Sequence, residues 1–175
     1  MSLFIITGVP GTGKTSLCRA LMGQFPFGLH LPVDDLREWV VSGIAHPVPE
    51  FTPETQRQFD LARESAGQTA ESYHRAGFAV AIDDVLGPAD AAAFHLSEPP
   101  TKILLWAELD VILERNCLRQ NKHFDPLTLE PVIRMLHASQ DVEEFRRHGW
   151  KVVDTTRLTL EETVQAVLQA TKNVD

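Results

Sequence analysis

The chain predicts an α/β fold, a single domain built on a five-stranded parallel sheet flanked by helices. Three observations carry this. Short apolar runs recur at about 3–7, 28–32, 78–82, 102–106 and 150–153. Helical patterns fill the intervals between them, the alternation expected of parallel strands joined by crossover helices. A glycine-rich segment, Gly8-Val9-Pro10-Gly11-Thr12-Gly13-Lys14-Thr15, stands between the first strand and the first helix. Such a sheet takes right-handed crossovers and receives ligands at the carboxyl ends of its strands.

Leu3-Phe4-Ile5-Ile6 is an unbroken apolar run, as a strand buried on both faces requires, and Ser16 to Met22 continues as a helix. The segment between them has the form G-x-x-x-x-G-K-[ST]. Glycines let successive backbone N–H groups turn inward around a polyphosphate, and the helix N-terminus adds partial positive charge. Gly8, Pro10, Gly11, Thr12, Gly13 and Ser16 are therefore expected to line a nucleotide phosphate site. Lys14 is expected on the β- and γ-phosphates, and the Thr15 hydroxyl on a magnesium ion.

The second strand runs into Val33-Asp34-Asp35-Leu36-Arg37. A carboxylate at a strand's carboxyl end faces the ligand crevice, so Asp34 is placed to take a proton from an acceptor hydroxyl. Arg37, three residues on, is expected one turn along the same helix face, binding an anionic part of the acceptor. Asp35 is read as the helix N-cap. Gly43 to Pro53, with prolines at 47, 49 and 53, is a stiff surface loop beside the acceptor side. Thr52 then caps the next helix, with Pro53 at its first position.

The third strand ends at Asp83-Asp84. A carboxylate here binds magnesium together with Thr15, and Asp83 is preferred over Asp84. After the fourth strand, a helix carries Arg115 and Arg119. Their i,i+4 spacing puts both guanidinium groups on one face, and the polar break Gln120 to His123 follows before Asp125-Pro126 starts another helix. A pair of arginines ending in such a break suits a lid over a triphosphate. The last strand leads to Thr159-Leu160-Glu161-Glu162, a capping box, with Leu160, Val164, Val167 and Leu168 marking one apolar face.

Composition narrows the function. Of 175 residues, 43% are hydrophobic and 23% charged, ordinary for a soluble globular domain. No run approaches the ~18 apolar residues of a membrane span. The N-terminus enters the first strand directly, with no basic region or cleavage site, so no signal peptide and a cytoplasmic location are expected. Cys18 and Cys117 are too few for a disulfide framework and are expected to be packed thiols in helices. The seven histidines are scattered without metal-binding spacing, leaving magnesium carried in with the nucleotide as the expected metal. A net charge of −8 repels polyanions and argues against a broad nucleic-acid surface. Eleven of the 16 basic residues are arginine, which suits a local phosphate pocket.

Taken in order, the loop 8–15, the Asp-Asp-x-Arg of 34–37, the Asp83-Asp84 pair, the Arg-x-x-x-Arg of 115–119 and the strand Lys151 to Thr156 resemble the small P-loop kinases. That group includes gluconate and shikimate kinases, chloramphenicol phosphotransferase and the kinase domain of polynucleotide 5′-kinases. The resemblance covers nearly the whole chain. It implies a P-loop NTPase fold of the nucleoside-monophosphate-kinase-like kind, with a short lid at approximately 115–126 and an acceptor side at approximately 33–60. It further implies ATP and Mg2+, a catalytic Asp34, a substrate-binding Arg37, lid arginines 115 and 119, and a segment from Thr155 to Arg157 beside the adenine. The Gly-Asp-Asp-Leu-His-Pro of gluconate kinases and the Asp-x-Asp of shikimate kinases are absent, so neither substrate carries over.

The activity implied is transfer of the γ-phosphate of ATP to a hydroxyl of a small molecule, with an oligonucleotide 5′-hydroxyl as the alternative acceptor. A GTP- or ATP-binding switch is the reading from another class. Asp84-Val85-Leu86-Gly87 fits its D-x-x-G, but Asn121-Lys122-His123-Phe124-Asp125 has one residue too many for N-K-x-D and does not end a strand.

Overall fold

A computed structural model describes residues 2–48, 50–118 and 129–172. Strand β1 (Leu3–Thr7) leads through the glycine loop into helix α1 (Lys14–Met22). Strand β2 (Gly28–Pro32) passes without a break into the short α2 (Val33–Glu38), and α3 (Pro53–Arg75) returns the chain to β3 (Ala79–Asp83). A 3-10 turn at Asp90–Phe94 precedes β4 (Thr101–Trp106) and α4 (Leu109–Cys117). Helices α5 (Glu130–Ser139) and α6 (Val142–Arg147), strand β5 (Lys151–Asp154) and α7 (Leu160–Lys172) complete the order.

The strands pair in the order β2-β3-β1-β4-β5, and every pairing is parallel. This is the five-stranded sheet expected, with each strand within a residue or so of its sequence-based limits. Period-two alternation sorts the side chains onto two faces. Leu3, Ile5, Val80, Ile82 and Leu104 pack with Ala62, Ala66 and Ala70 of α3 and with Phe94, Phe145 and Trp150. Phe4, Ile6, Ala79, Ala81, Ile103 and Leu105 pack on the opposite face with Leu17, Cys18 and Leu21 of α1 and with Val164 and Val167 of α7. Small residues on α3 let its backbone lie close to the sheet, and this fixes where its polar side chains emerge at the carboxyl edge.

The helix caps mostly follow the sequence. Thr52 accepts from the Thr55 backbone N–H while Thr55 Oγ1 accepts from the Thr52 N–H, with Pro53 in the first turn. Thr159 and Glu162 form the same reciprocal pair at α7. Leu160 departs from its assigned apolar face and is exposed, because at the first helical position it precedes the turn that meets the sheet. Asp35 does not cap α2. That helix begins two residues earlier, at Val33, after an extended Pro32, so Asp34 and Asp35 both lie in its first turn. Cys18 is packed as expected, whereas Cys117, the last residue of α4, is exposed. Among the described residues, no helix is long and apolar enough to cross a membrane.

Candidate functional site: a phosphate cradle beside a charged group

The order β2-β3-β1 sets three loops side by side at the carboxyl edge of the sheet. Asp34 follows β2, Asp83-Asp84 ends β3, and the glycine loop follows β1. Residues distant in sequence thus stand in a row at this edge.

The loop's glycines are required for two different reasons. Gly8 has φ +151° and lies against the β4 backbone, where a Cβ would stand 2.5 Å from the Leu105 carbonyl oxygen. Gly13, which precedes α1, has φ +94°, and a Cβ there would meet nothing within 4 Å. Gly8 therefore seats the loop on the sheet, and Gly13 faces open space at the helix N-terminus. Thr12 Oγ1 donates to the Val9 carbonyl at 2.9 Å and closes the turn from within. Lys14 Nζ donates to the Gly8 carbonyl at 2.8 Å, so the ammonium group lies folded over the loop. A cleft of about 280 Å³ opens here, lined by Gly11, Gly13, Lys14, Thr15, Ser16, Arg19 and Arg115. Pro10 is half-buried in the same loop.

Arg115 is the expected arginine that the structure brings to the cradle. Its guanidinium donates to Thr155 Oγ1 at 3.1 Å and to the Thr155 carbonyl at 2.7 Å, fastening the end of α4 to the loop after β5. Arg157, in that loop, lines a neighbouring cleft of about 340 Å³ with Glu108, Asp154, Thr156 and Leu158. Arg119, Asp125 and Pro126 lie outside the described residues, as does most of the segment expected to form the lid. Among the described residues, helix α4 ends at Cys117.

Strand alternation separates the two β3 carboxylates. Asp83 continues the Ala79-Ala81 face toward α1. Its Oδ2 accepts from His30 Nε2 of β2 at 2.8 Å, and the Cys18 thiol of α1 hydrogen-bonds to the same carboxylate. Burial and the Asp83 charge push the Cys18 thiol well above its ordinary value, so the sulfur is a neutral donor. Asp84 faces the other way, toward α3. Arg63 Nε donates to its Oδ2 at 2.7 Å, and the Val85 N–H donates to its Oδ1 at 2.7 Å. Burial is the larger influence on Asp84 and pushes it up to about 6, against the pull of Arg63 and that N–H.

Arg37 takes a different position from the one expected. Asp34 is exposed, but Arg37 is only 6% exposed and points inward. Its guanidinium stacks 3.8 Å over the Phe59 ring and donates to the Ala45 carbonyl at 2.5 Å. Gln58 of α3 completes the junction: its Oε1 accepts from the Ala45 N–H at 2.9 Å, and its Nε2 donates to the Gly43 carbonyl at 2.8 Å. Packing against α3 turns Arg37 inward, onto the Phe59 ring and the Ala45 carbonyl. Burial draws its guanidinium below the ordinary value, against the fields of Asp34 and Asp84. Asp34 thus belongs to a charged group with Arg37, Arg63 and Asp84, while Trp39, Val41 and Phe51 stand exposed on the adjoining loop.

Sequence reasoning did not find Arg63, Gln58, Phe59, His30 or Cys18. Arg63 sits among Asp60 and Glu64 on a long helix, where it looks like part of a solvated face. The one available signal was the parity of Ala79 to Asp84, which separates the two carboxylates.

The comparisons with known proteins agree with this fold. A shikimate kinase from Bacteroides thetaiotaomicron is 16% identical, covers 98% of each chain and has a TM-score of 0.67. A sugar kinase from a Janibacter species is 18% identical over 99% of this chain and 96% of its own, with a TM-score of 0.65. The tunicamycin resistance protein of Deinococcus radiodurans is 18% identical over 98% and 96%, also with a TM-score of 0.65. At such identities the likeness establishes the P-loop kinase fold. No curated protein matches by sequence. The family described as chloramphenicol phosphotransferase-like protein matches residues 1–105, which hold the glycine loop, Asp34 and Arg37 and both β3 carboxylates; the chain belongs to that family.

Proposed function

We propose that the protein is an ATP-dependent kinase that transfers the γ-phosphoryl group to a hydroxyl of a small-molecule acceptor. The observation that carries this reading is the row at the carboxyl edge, with the phosphate cradle after β1 and the exposed Asp34 after β2 on either side of Asp83-Asp84. Lys14 releases its loop carbonyls to hold the β- and γ-phosphates, and Arg115 balances charge on the transferring group. Asp34 orients the acceptor hydroxyl and takes its proton as the new O–P bond forms and ADP leaves. Arg63 and Asp84 hold that side of the crevice in shape. Arg37 contributes through the backbone it fixes at Ala45 rather than by reaching the acceptor.

The residues present fit magnesium. Thr15 and Asp83 offer a hydroxyl and a carboxylate, the hard oxygen donors this ion takes, beside an open phosphate site. When bound, the ion would neutralise charge across the β- and γ-phosphates. Adenine is assigned to the cleft of Arg157, and Arg119 joins Arg115 as a second phosphate ligand.

The test is an ATP-consumption screen over sugars, sugar acids, nucleosides, antibiotics and 5′-hydroxyl oligonucleotides, repeated with GTP. Acceptor-dependent ADP release in one small-molecule class supports the reading. Turnover confined to oligonucleotides, or a strict GTP preference without any acceptor, would overturn it.

A further inference from the structure

Cys18, His30 and Asp83 come from three elements (α1, β2 and β3) and converge behind the phosphate cradle. Their ligand atoms all lie within 4.8 Å of one another. The nucleotide reading uses only Asp83 and gives the thiol and the imidazole nothing to do. We propose that the three side chains form a binding site for a thiophilic divalent cation of the Zn2+ type.

The donor set is one sulfur, one imidazole nitrogen and one carboxylate oxygen. That is a borderline-soft combination, which favours zinc-like ions over the all-oxygen preference of magnesium. Three protein ligands leave a fourth position open to water, as in zinc sites that are not purely structural. The fit needs little movement. Tetrahedral zinc with ordinary bond lengths holds its ligand atoms about 3.3–3.7 Å apart. His30 Nε2 and Asp83 Oδ2, now 2.8 Å apart, must therefore separate slightly, and no other separation in the group needs to close by more than about 1 Å. The side chains of His30 and Asp83 keep 10% and 7% of their surface exposed, which gives the ion a narrow way in, while Cys18 is fully buried.

The protons balance. Without the cation, Cys18 S–H and His30 Nε2–H both donate to Asp83. On binding, the thiol proton leaves to the buffer, the imidazole proton is re-sited on Nδ1, and all three freed lone pairs turn to the metal. One proton is released per cation. Cys18 lies one helical turn after Thr15, and Asp83 is shared with the magnesium site of the proposed reaction. A zinc-like ion here withdraws that carboxylate from the nucleotide, so the same site makes the enzyme sensitive to thiophilic metals. This last consequence rests on the kinase reading, but binding itself does not.

The test uses the full-length protein without nucleotide. Cobalt(II) alone is titrated and followed by its thiolate-to-metal charge-transfer absorption, then displaced with Zn2+. The wild type is expected to bind one equivalent with a thiolate band that excess Mg2+ does not remove. Cys18→Ala should abolish the band, and His30→Gln should weaken binding by at least about 10-fold, the lower end of what losing even an outer-sphere partner costs. Cys117→Ser, which removes the exposed thiol, should change nothing. Absence of a thiolate band in the wild type overturns the proposal with no variant needed. So does a band that survives Cys18→Ala, disappears in Cys117→Ser, or is removed by equimolar Mg2+. Cobalt binding in a protein that consumes no ATP with any acceptor would defeat the kinase reading and leave the metal site standing.

Discussion

Replacing Arg63 with methionine is expected to destabilise the protein strongly near neutrality and weakly in mild acid. Asp84 is 5% exposed and its cationic partner is Arg63, with 2.7 Å between Nε and Oδ2. In the wild type, burial already raises Asp84 from 3.8 to about 6, so between those values the native state holds a proton that the unfolded chain has released. Stability therefore falls as pH rises through that window, by about 3 kcal/mol in all, and is flat above it. Methionine fills the space of the arginine stem but supplies no charge. Asp84 then rises further, and the fall continues through neutrality. At about pH 7.5 the wild type holds Asp84 ionised against Arg63, whereas the variant must keep it protonated, a loss of about 3 kcal/mol. At about pH 5 both proteins hold Asp84 largely protonated, and the difference shrinks to about 1 kcal/mol, the worth of a hydrogen bond. Urea unfolding at the two pH values measures this directly. A loss that is equal at both, or below about 1 kcal/mol at the higher one, would show that Asp84 is not held charged by Arg63.

The other predictions concern the crevice. Lys14→Ala should abolish phosphoryl transfer yet lower stability by only about 1 kcal/mol, since its ammonium group donates to the loop's Gly8 and Val9 carbonyls; undiminished ATP turnover in the folded variant would refute its role. Asp34→Asn should slow transfer by about 100-fold or more with ATP affinity and Tm unchanged, because the side chain is exposed and caps nothing; the reverse pattern would make it structural. Arg115→Ala should reduce kcat more than it weakens ATP binding, and its effect should be less than additive with Arg119→Ala if the two act on one charge. Gly13→Ala should weaken ATP binding at a strain cost of about 1–2 kcal/mol, whereas Gly8→Ala, which collides with the Leu105 carbonyl, should unfold the protein more readily than it alters the site. Thermal scans with and without nucleotide distinguish the two glycines.

The sequence was legible wherever the determining interactions are local. Strand limits, the cradle and the caps at Thr52 and Thr159 depend on neighbours a few residues away, and all were readable. Asp35 and Arg37 were misjudged because α2 begins directly from β2 at Val33. Which way its six residues face is decided by Phe59 and Gln58, some twenty residues later. The links from His30 and Cys18 to Asp83 were hidden for a related reason. They exist only because β3 lies between β2 and β1, an order that no single segment encodes.

The junction of Arg37, Ala45 and Gln58 divides the long connection between α2 and α3 into two shorter spans. Trp39 and Val41 belong to the first span and Phe51 to the second, each anchored at both ends. Closing a flexible span costs only slowly more as it lengthens, so either can gain or lose residues at little expense to the fold. A change on one side of Ala45 is not transmitted to the other, since Gln58 and Arg37 fix the backbone between them. Lineages of this chain can therefore vary the two halves independently, exchanging what one half contacts while Asp34 and the cradle stay untouched.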